Sequence, residues 1–136
     1  MYIYKAAVIG AGAMGAEIAQ VVSFSGLPVL LKDVDQAAVD KGLTKIRKIY
    51  ERRVAKGKMS PEDAESKINL VTGTTSYDGF ADVDIVIEAA PEQMPLKQKI
   101  FEELDQTCQP SCILASNTSS ISISALGAFT KRPEKV

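Results

Sequence analysis

The chain has 136 residues, of which 46% are hydrophobic and 24% are charged, and 16 basic against 17 acidic side chains give a formal net charge of −1. This composition predicts one globular domain, and the near-zero charge argues against an electrostatic nucleic-acid binder. The sequence contains no histidine, the commonest general base and metal ligand, and we predict no metal site.

Runs of consecutive apolar residues alternate with segments whose apolar residues recur at helical spacing. This alternation predicts a three-layer α/β domain with a doubly wound, mostly parallel sheet and right-handed crossovers. In chain order we predict a strand over 6–9, a helix to about 25, a strand over 28–31, a long helix over 35–56, a short helix over 61–67, strands over 68–71 and 84–88, a helix around 96–104, a strand over 112–115 and a polar loop over 116–120.

Both ends of the chain carry signals about the wider protein. The segment 132–136 has the pattern of an approach to a sixth strand, and we expect the chain to be a piece of a longer protein, truncated near the start of that strand. No apolar run reaches the roughly 18 residues of a membrane span, and the N-terminus has no charged leader, so we expect no membrane span and a cytoplasmic location.

Cys108 and Cys112 have neither redox nor zinc spacing and are predicted to be free thiols.

Gly10, Gly12 and Gly15 form a G-x-G-x-x-G motif between the first predicted strand and helix. In this motif the first glycine makes a turn, the second admits a pyrophosphate against the backbone near Ala13, and the third allows close packing of helix and strand. Asp33 follows about 20 residues later, where a carboxylate can accept both ribose hydroxyls and repel a 2′-phosphate. These features predict binding of NAD(H) rather than NADP(H). The alternative is a glycine turn with a packing role only and Asp33 as a helix cap.

Two further loops follow predicted strands at the same edge of the sheet. They span 89–92 and 116–120, and we expect both to face the nicotinamide, because ligands of such sheets bind beyond the carboxyl ends of the strands. Glu92 is placed to hold a ribose hydroxyl, and Lys97 to reach the cofactor or a carbonyl. The alternatives are an acid at a helix start, a solvated lysine and, for the serine-rich loop, a helix cap and turn.

Three sequence blocks together resemble the NAD-binding domain of the 3-hydroxyacyl-CoA dehydrogenases. They are 8–20, 86–92 and 114–120, while 51–58 and 73–80 are most similar to the multifunctional fatty-acid-oxidation proteins. The resemblance implies a Rossmann-like fold and an NAD-dependent oxidoreductase of fatty-acid beta-oxidation. Such an enzyme oxidises the 3-hydroxyl of (S)-3-hydroxyacyl-CoA to a ketone.

The resemblance also implies roles for individual residues. Met14 and Asp33 would line the adenosine half of the cofactor site. The nicotinamide half would be lined by Ala90, Pro91, Glu92, Lys97 and Ser119. Ser119 would also approach the 3-oxygen of the substrate, and Asn117 would shape its loop.

The long helix carries a basic stripe formed by Lys41, Lys45, Lys48 and Arg52, with Arg53 and Lys56 close by. A solvated face and a surface that binds a polyphosphate are both consistent with this pattern. The resemblance implies that Arg53 and Lys56 meet the phosphates of CoA.

The catalytic histidine of that family lies in a His-Phe-Asn-Pro type segment after the sixth strand begins, and a helical domain completes its acyl pocket. Neither is present in these 136 residues, which we therefore expect to bind NAD(H) without significant turnover, because the hydroxyl proton needs a base. A dehydrogenase of another β-hydroxy acid and a stand-alone nucleotide-binding or structural module are the alternatives. An uncovered apolar face and a free sheet edge would favour a homo-oligomer.

Overall fold

The computed structural model describes residues 2–117 and 123–136. Its strands are β1 (Ala6–Ile9), β2 (Val29–Lys32), β3 (Val71–Thr74), β4 (Ile85–Glu88) and β5 (Ile113–Ser116). Its helices are α1 (Ala13–Phe24), α2 (Gln36–Ala55), α3 (Pro61–Ile68), α4 (Met94–Thr107) and α5 (Ile123–Gly127), followed by a 3-10 turn at Pro133–Lys135. The five strands form one parallel sheet in the order β3-β2-β1-β4-β5, which confirms the predicted doubly wound α/β class.

The sheet separates two apolar cores, one on each face. Ala6 and Val8 of β1 point into a core with α1, α2 and α3, while Ala7 and Ile9 point into a core with α4 and α5. All four residues of β1 are buried, as expected for a central parallel strand that is covered on both faces. This accounts for the uninterrupted apolar run at the start of the sequence.

Two helix starts lie where their capping residues predict them. Ser60 accepts a hydrogen bond from the Asp63 backbone N–H at 3.1 Å, and Pro61 occupies the first turn of α3. Asp35 caps α2 by accepting from the Ala38 N–H at 2.8 Å. The long helix therefore begins shortly after the carboxyl end of β2.

The predicted third strand over 68–71 is wrong by three residues. α3 continues to Ile68, and backbone bonds from Asn69 to Glu65 and from Leu70 to Lys67 close its last turn, so the strand begins only at Val71. β2 and β5 each lie one residue later than predicted. Ser116, predicted to open a polar loop, is thus the last residue of β5, and 118–120 lie outside the described residues.

Arg132, at the start of the segment with the pattern of an approach to a sixth strand, is 7% exposed and binds the C-terminal end of α4. Its Nε donates to the Asp105 carboxylate at 2.8 Å, and its Nη atoms donate to the carbonyl oxygens of Asp105, Cys108, Gln109 and Cys112. A helix leaves its last carbonyls without backbone donors, and the guanidinium supplies them here. Both cysteines are buried free thiols, as predicted.

Arg132→Met is expected to lower the free energy of unfolding by about 3 kcal/mol, because the poorly exposed Asp105 carboxylate loses its charged partner and four backbone carbonyls lose a donor. Urea unfolding followed by circular dichroism measures the loss. The control is Arg47→Met, which removes an exposed pair with Glu65 and should leave the midpoint nearly unchanged. Equal losses in the two variants would contradict the structural role of Arg132.

Candidate functional site

The candidate site lies at the carboxyl ends of the strands, where the strand order reverses between β1 and β4. An open parallel sheet leaves a crevice at such a switch point. The glycine motif follows β1, Asp33 follows β2, the 89–92 loop follows β4, and Asn117 follows β5. The structure thus brings the main predicted segments to one edge.

The three glycines of the motif have three different environments. Gly10 has a φ of +103°, and a Cβ there would lie 2.7 Å from the Ala89 carbonyl oxygen, so this position needs glycine for the turn and for the close approach to β4. A Cβ at Gly15 would overlap the Gly10 carbonyl oxygen. At Gly12 a Cβ would meet nothing within 4 Å, so the backbone there is open to an incoming ligand.

A fourth glycine also shapes the turn, and the sequence analysis missed it. A Cβ at Gly42, on the buried face of α2, would lie 2.8 Å from the Ala11 carbonyl oxygen and 3.0 Å from Leu31. Gly42 thus lets α2 pack directly against the glycine turn. The available signal was a glycine inside a strong helical pattern, which usually has a packing reason.

Asp33 is half-buried and fixed beside the glycine turn. Its carboxylate accepts a hydrogen bond from the Ala11 N–H at 2.9 Å and another from the Val34 N–H at 2.6 Å. The alternative of Asp33 as a helix cap is wrong, because Asp35 caps α2. Each carboxylate oxygen has two lone pairs, so Asp33 keeps acceptor capacity for further donors.

A cavity of about 230 Å³ opens between the ends of β1 and β2, the 89–92 loop and α4. Its wall is mostly apolar and includes Gly10, Asp33, Val34, Tyr77, Ala90, Pro91, Leu96 and Ile100. The Lys32 ammonium lies 4.4 Å from the Tyr77 ring centroid. Burial raises the pKa of Tyr77 to about 12, so its phenol is protonated at neutral pH. The cavity can therefore receive a flat, neutral group with a polar edge toward Asp33.

A second, more open groove of about 310 Å³ runs over the glycine turn. Lys41 and Lys45 of the basic stripe line it together with Gly12 and Ala13, and Lys45 also lies 3.3 Å from the Glu17 carboxylate. Met14, 52% exposed, follows on the first turn of α1. Positive side chains and the N-terminus of α1 thus share one side of the turn, which favours an anion there.

Lys97 is fully buried, so the alternative of a solvated lysine is wrong. Its ammonium lies 2.7 and 2.8 Å from the two carboxylate oxygens of Glu88, 3.4 Å from the Glu92 carboxylate and 3.3 Å from the Ala90 carbonyl oxygen. Lys97 therefore reaches the backbone carbonyl of the 89–92 loop, while its predicted contact with the cofactor stays a prediction. The sequence analysis missed Glu88, although an acid inside an apolar run that is covered on both faces was a signal for it.

Of the remaining predicted residues, Asn117 lies at the site, whereas Arg53 and Lys56 do not. The Asn117 N–H donates to the Glu88 carbonyl oxygen at 2.8 Å, which holds the exposed Asn117 at the site. Ser119 lies outside the described residues. Arg53, with its guanidinium 4.5 Å from the Phe24 ring, and Lys56 lie at the far end of α2, roughly 25 Å from its first turn at 1.5 Å per residue. The structure does not bring these two cations to the glycine turn.

Within the described parts of the chain, no group of three or more His, Cys, Asp or Glu side chains is placed to hold a metal ion. Over the same residues, no helix has the length and apolar character needed to cross a membrane.

Comparison with known proteins adds to this geometry. Residues 5–136 match the family model described as the NAD-binding domain of 3-hydroxyacyl-CoA dehydrogenase. The chain is 42% identical over 134 residues, or 98% of its length, to the peroxisomal fatty acid beta-oxidation multifunctional protein MFP2 of Arabidopsis thaliana, of which it spans 18%.

Two solved structures are similar along almost the whole chain. FadB2 of M. tuberculosis superposes with a TM-score of 0.96 at 38% identity, over 100% of this chain and 48% of that one. The (S)-3-hydroxybutyryl-CoA dehydrogenase PaaH1 of Ralstonia eutropha superposes with a TM-score of 0.94 at 41% identity, over 98% of this chain and 47% of that one.

Gly15→Ala is expected to lower the free energy of unfolding by about 2 kcal/mol or more, because the added methyl group overlaps backbone that has little room to move. Gly12→Ala serves as the matched control. Its methyl group enters open space, and the loss should stay below about 1 kcal/mol. Thermal unfolding of both variants separates the two positions, and similar losses would contradict the packing described for this turn.

Proposed function

Because this chain belongs to the family of 3-hydroxyacyl-CoA dehydrogenase NAD-binding domains, we propose that its site at the β1–β4 switch point binds NAD along the glycine turn. The observation that carries the proposal is the open backbone at Gly12, in a turn that contacts the Asp33 carboxylate through Ala11 and the backbone of Ala89 and Ala90 through Gly10. The pyrophosphate of a dinucleotide must lie close to the protein backbone, between one pocket for each nucleoside half.

The adenosine half would occupy the side of β2. The cavity of about 230 Å³ has the apolar wall that an adenine ring requires, with Tyr77 and Ile100 among its lining residues. Asp33 lies between this cavity and the glycine turn and would accept the two hydroxyls of the adenosine ribose. Its negative charge disfavours a 2′-phosphate at the same place, and this supports NAD(H) over NADP(H).

The pyrophosphate would lie over Gly12 and Ala13. These residues begin α1, whose first backbone N–H groups have no partner within the helix and whose dipole favours a negative charge. Lys41 and Lys45 line the same groove and add positive charge nearby. Exposed Met14 would cover the outer side of the bound cofactor.

The nicotinamide half would meet the loops that follow β4 and β5. Ala90, Pro91 and Glu92 would line it, with Lys97 holding the Glu92 carboxylate from below at 3.4 Å. Asn117 would border the same space from β5. When bound, NAD supplies the hydride acceptor, and the contribution of these residues is to orient its reactive ring and exclude water from it.

The activity of the whole protein is a broader proposal, since the chain spans 18% of its multifunctional relative. We propose that the whole protein oxidises the 3-hydroxyl of (S)-3-hydroxyacyl-CoA, with Ser119 near the 3-oxygen and with Arg53 and Lys56 on the CoA phosphates. These 136 residues contain no imidazole to take the hydroxyl proton. We therefore expect binding of NAD(H) without significant turnover from this chain, and the base and a helical substrate domain from residues beyond it.

Location and assembly remain predictions. The Arabidopsis thaliana relative is named as a peroxisomal protein, so family membership does not favour the cytoplasm that the sequence predicts. Self-association is supported by exposed apolar side chains, among them Val21 and Phe24 at 63% and 43% exposure, and by β3 and β5 as edge strands.

Titration of the chain with NADH, followed by cofactor fluorescence, tests the proposed cofactor site. We expect saturable binding that is weaker for NADPH and at least about 10-fold weaker in Asp33→Ala, because a charge-assisted hydrogen bond to a ribose contributes about 1.5 kcal/mol or more. The control is Asp82→Ala, whose exposed carboxylate pairs with Lys5 at the opposite edge of the sheet and should leave the affinity unchanged. Equal affinity for NADH and NADPH, or no binding of either, would overturn the proposal.

A further inference from the structure

Glu88 is the last residue of β4, and its carboxylate is completely buried at the carboxyl end of this strand. Besides the two contacts with the Lys97 ammonium, one carboxylate oxygen accepts the Ser116 hydroxyl at 2.5 Å and the other accepts the Ala90 N–H at 2.6 Å. Its backbone carbonyl accepts the Asn117 N–H. One residue thus joins β4, the 89–92 loop, α4 and the end of β5.

This cluster is a costly way to hold a fold together. Two buried charges lose their hydration, and an apolar pair of similar volume in the same place is often equally or more stabilising. The surrounding core already packs α4 against the sheet through Ile100, Phe101 and Leu104. The two charges therefore fit a requirement for precise placement of the groups around Glu88 better than a requirement for stability.

We propose that Glu88 is the positioning residue for the nicotinamide half of the cofactor site. Through Lys97 it sets the Glu92 carboxylate, through Ala90 it sets the backbone of the 89–92 loop, and through Ser116 it sets the distance from this loop to β5. The inference rests on the proposed function, because it concerns the same bound NAD. Glu88 does not touch the cofactor in this account and acts only through its partners.

The adenosine half depends mainly on other bonds. Asp33 is held by Ala11 and Val34, and α2 packs against the glycine turn through Gly42. The 89–92 loop contributes Ala90 and Pro91 to the adenosine cavity, whereas Glu92 and Lys97 do not line it. Loss of the Glu88 carboxylate should therefore weaken a ligand that spans both halves much more than a ligand that fills the adenosine half alone. A purely structural role for Glu88 would weaken both ligands together.

The test compares the unmodified chain with Glu88→Gln, Lys97→Met and the double variant Glu88→Gln/Lys97→Met. NADH binding is measured by fluorescence, binding of adenosine monophosphate by calorimetry, and stability by the unfolding midpoint. Each single variant leaves one buried charge without its partner and should lower the midpoint. The double variant removes both charges and should regain most of that loss.

The double variant distinguishes a positioning role of Glu88 from a general structural role. We expect its NADH affinity to stay at least about 10-fold below that of the unmodified chain, while its affinity for adenosine monophosphate changes by less than about 2-fold. Asp105→Asn is the matched control, since it disrupts the other poorly exposed ion pair of α4, with Arg132 at the opposite end of the helix. It should lower the midpoint without changing the ratio of the two affinities.

Three results would overturn the inference. A double variant that binds NADH as the unmodified chain does would show that Glu88 has no positioning role. Equal weakening of NADH and adenosine monophosphate would assign it a general structural role. Failure of the unmodified chain to bind NADH would overturn the proposed function and this inference with it. If the unmodified chain does bind NADH, the proposed function stands, and the first two results test the inference alone.

Discussion

The close packing of the glycine turn is the constraint on which the site depends. Gly15 lies under the Gly10 carbonyl, Gly10 lies against Ala89 at the end of β4, and Gly42 of α2 lies against Ala11. These contacts bring the N-terminus of α1 to the strand edge and bring two neighbouring elements up to it. The N-terminus of α1, the Asp33 carboxylate and the 89–92 loop are close together because Gly10, Gly15 and Gly42 place no side chains between the packed backbones.

α4 is fastened at both ends by poorly exposed ion pairs with different consequences. At its C-terminal end Arg132 pairs with Asp105 and binds backbone carbonyls, which attaches the last described segment to the domain. At its N-terminal end Lys97 pairs with Glu88 directly beneath the site. The first pair fixes the path of the chain after α4, whereas in our proposal the second fixes the geometry of the loops at the candidate site.

Local patterns predicted much of the fold and part of the site. The glycine motif, the start of α3 after Ser60 and the apolar strands depend on neighbouring residues, and sequence shows them directly. The burial of Lys97 could not be predicted from its neighbours in sequence. It depends on the pair with Glu88, which lies on the other side of the 89–92 loop, and on the packing of α4 against the sheet. The burial of Arg132 was not predicted for the same reason, since its five acceptors lie 20 to 27 residues away in sequence. The start of β3 was misplaced because Ile68 suits a strand and a last helical turn equally well.

The central claim is that the open backbone at Gly12 receives the pyrophosphate of NAD. Gly12 has an extended conformation that any residue adopts, with φ −69° and ψ −170°, and free space around its missing side chain. The most direct measurement is calorimetric titration of Gly12→Val with NADH beside its unfolding midpoint. The account predicts a midpoint near that of the unmodified chain and no measurable binding, because the valine fills the space of the phosphates. A folded Gly12→Val variant that binds NADH with unchanged affinity would contradict it.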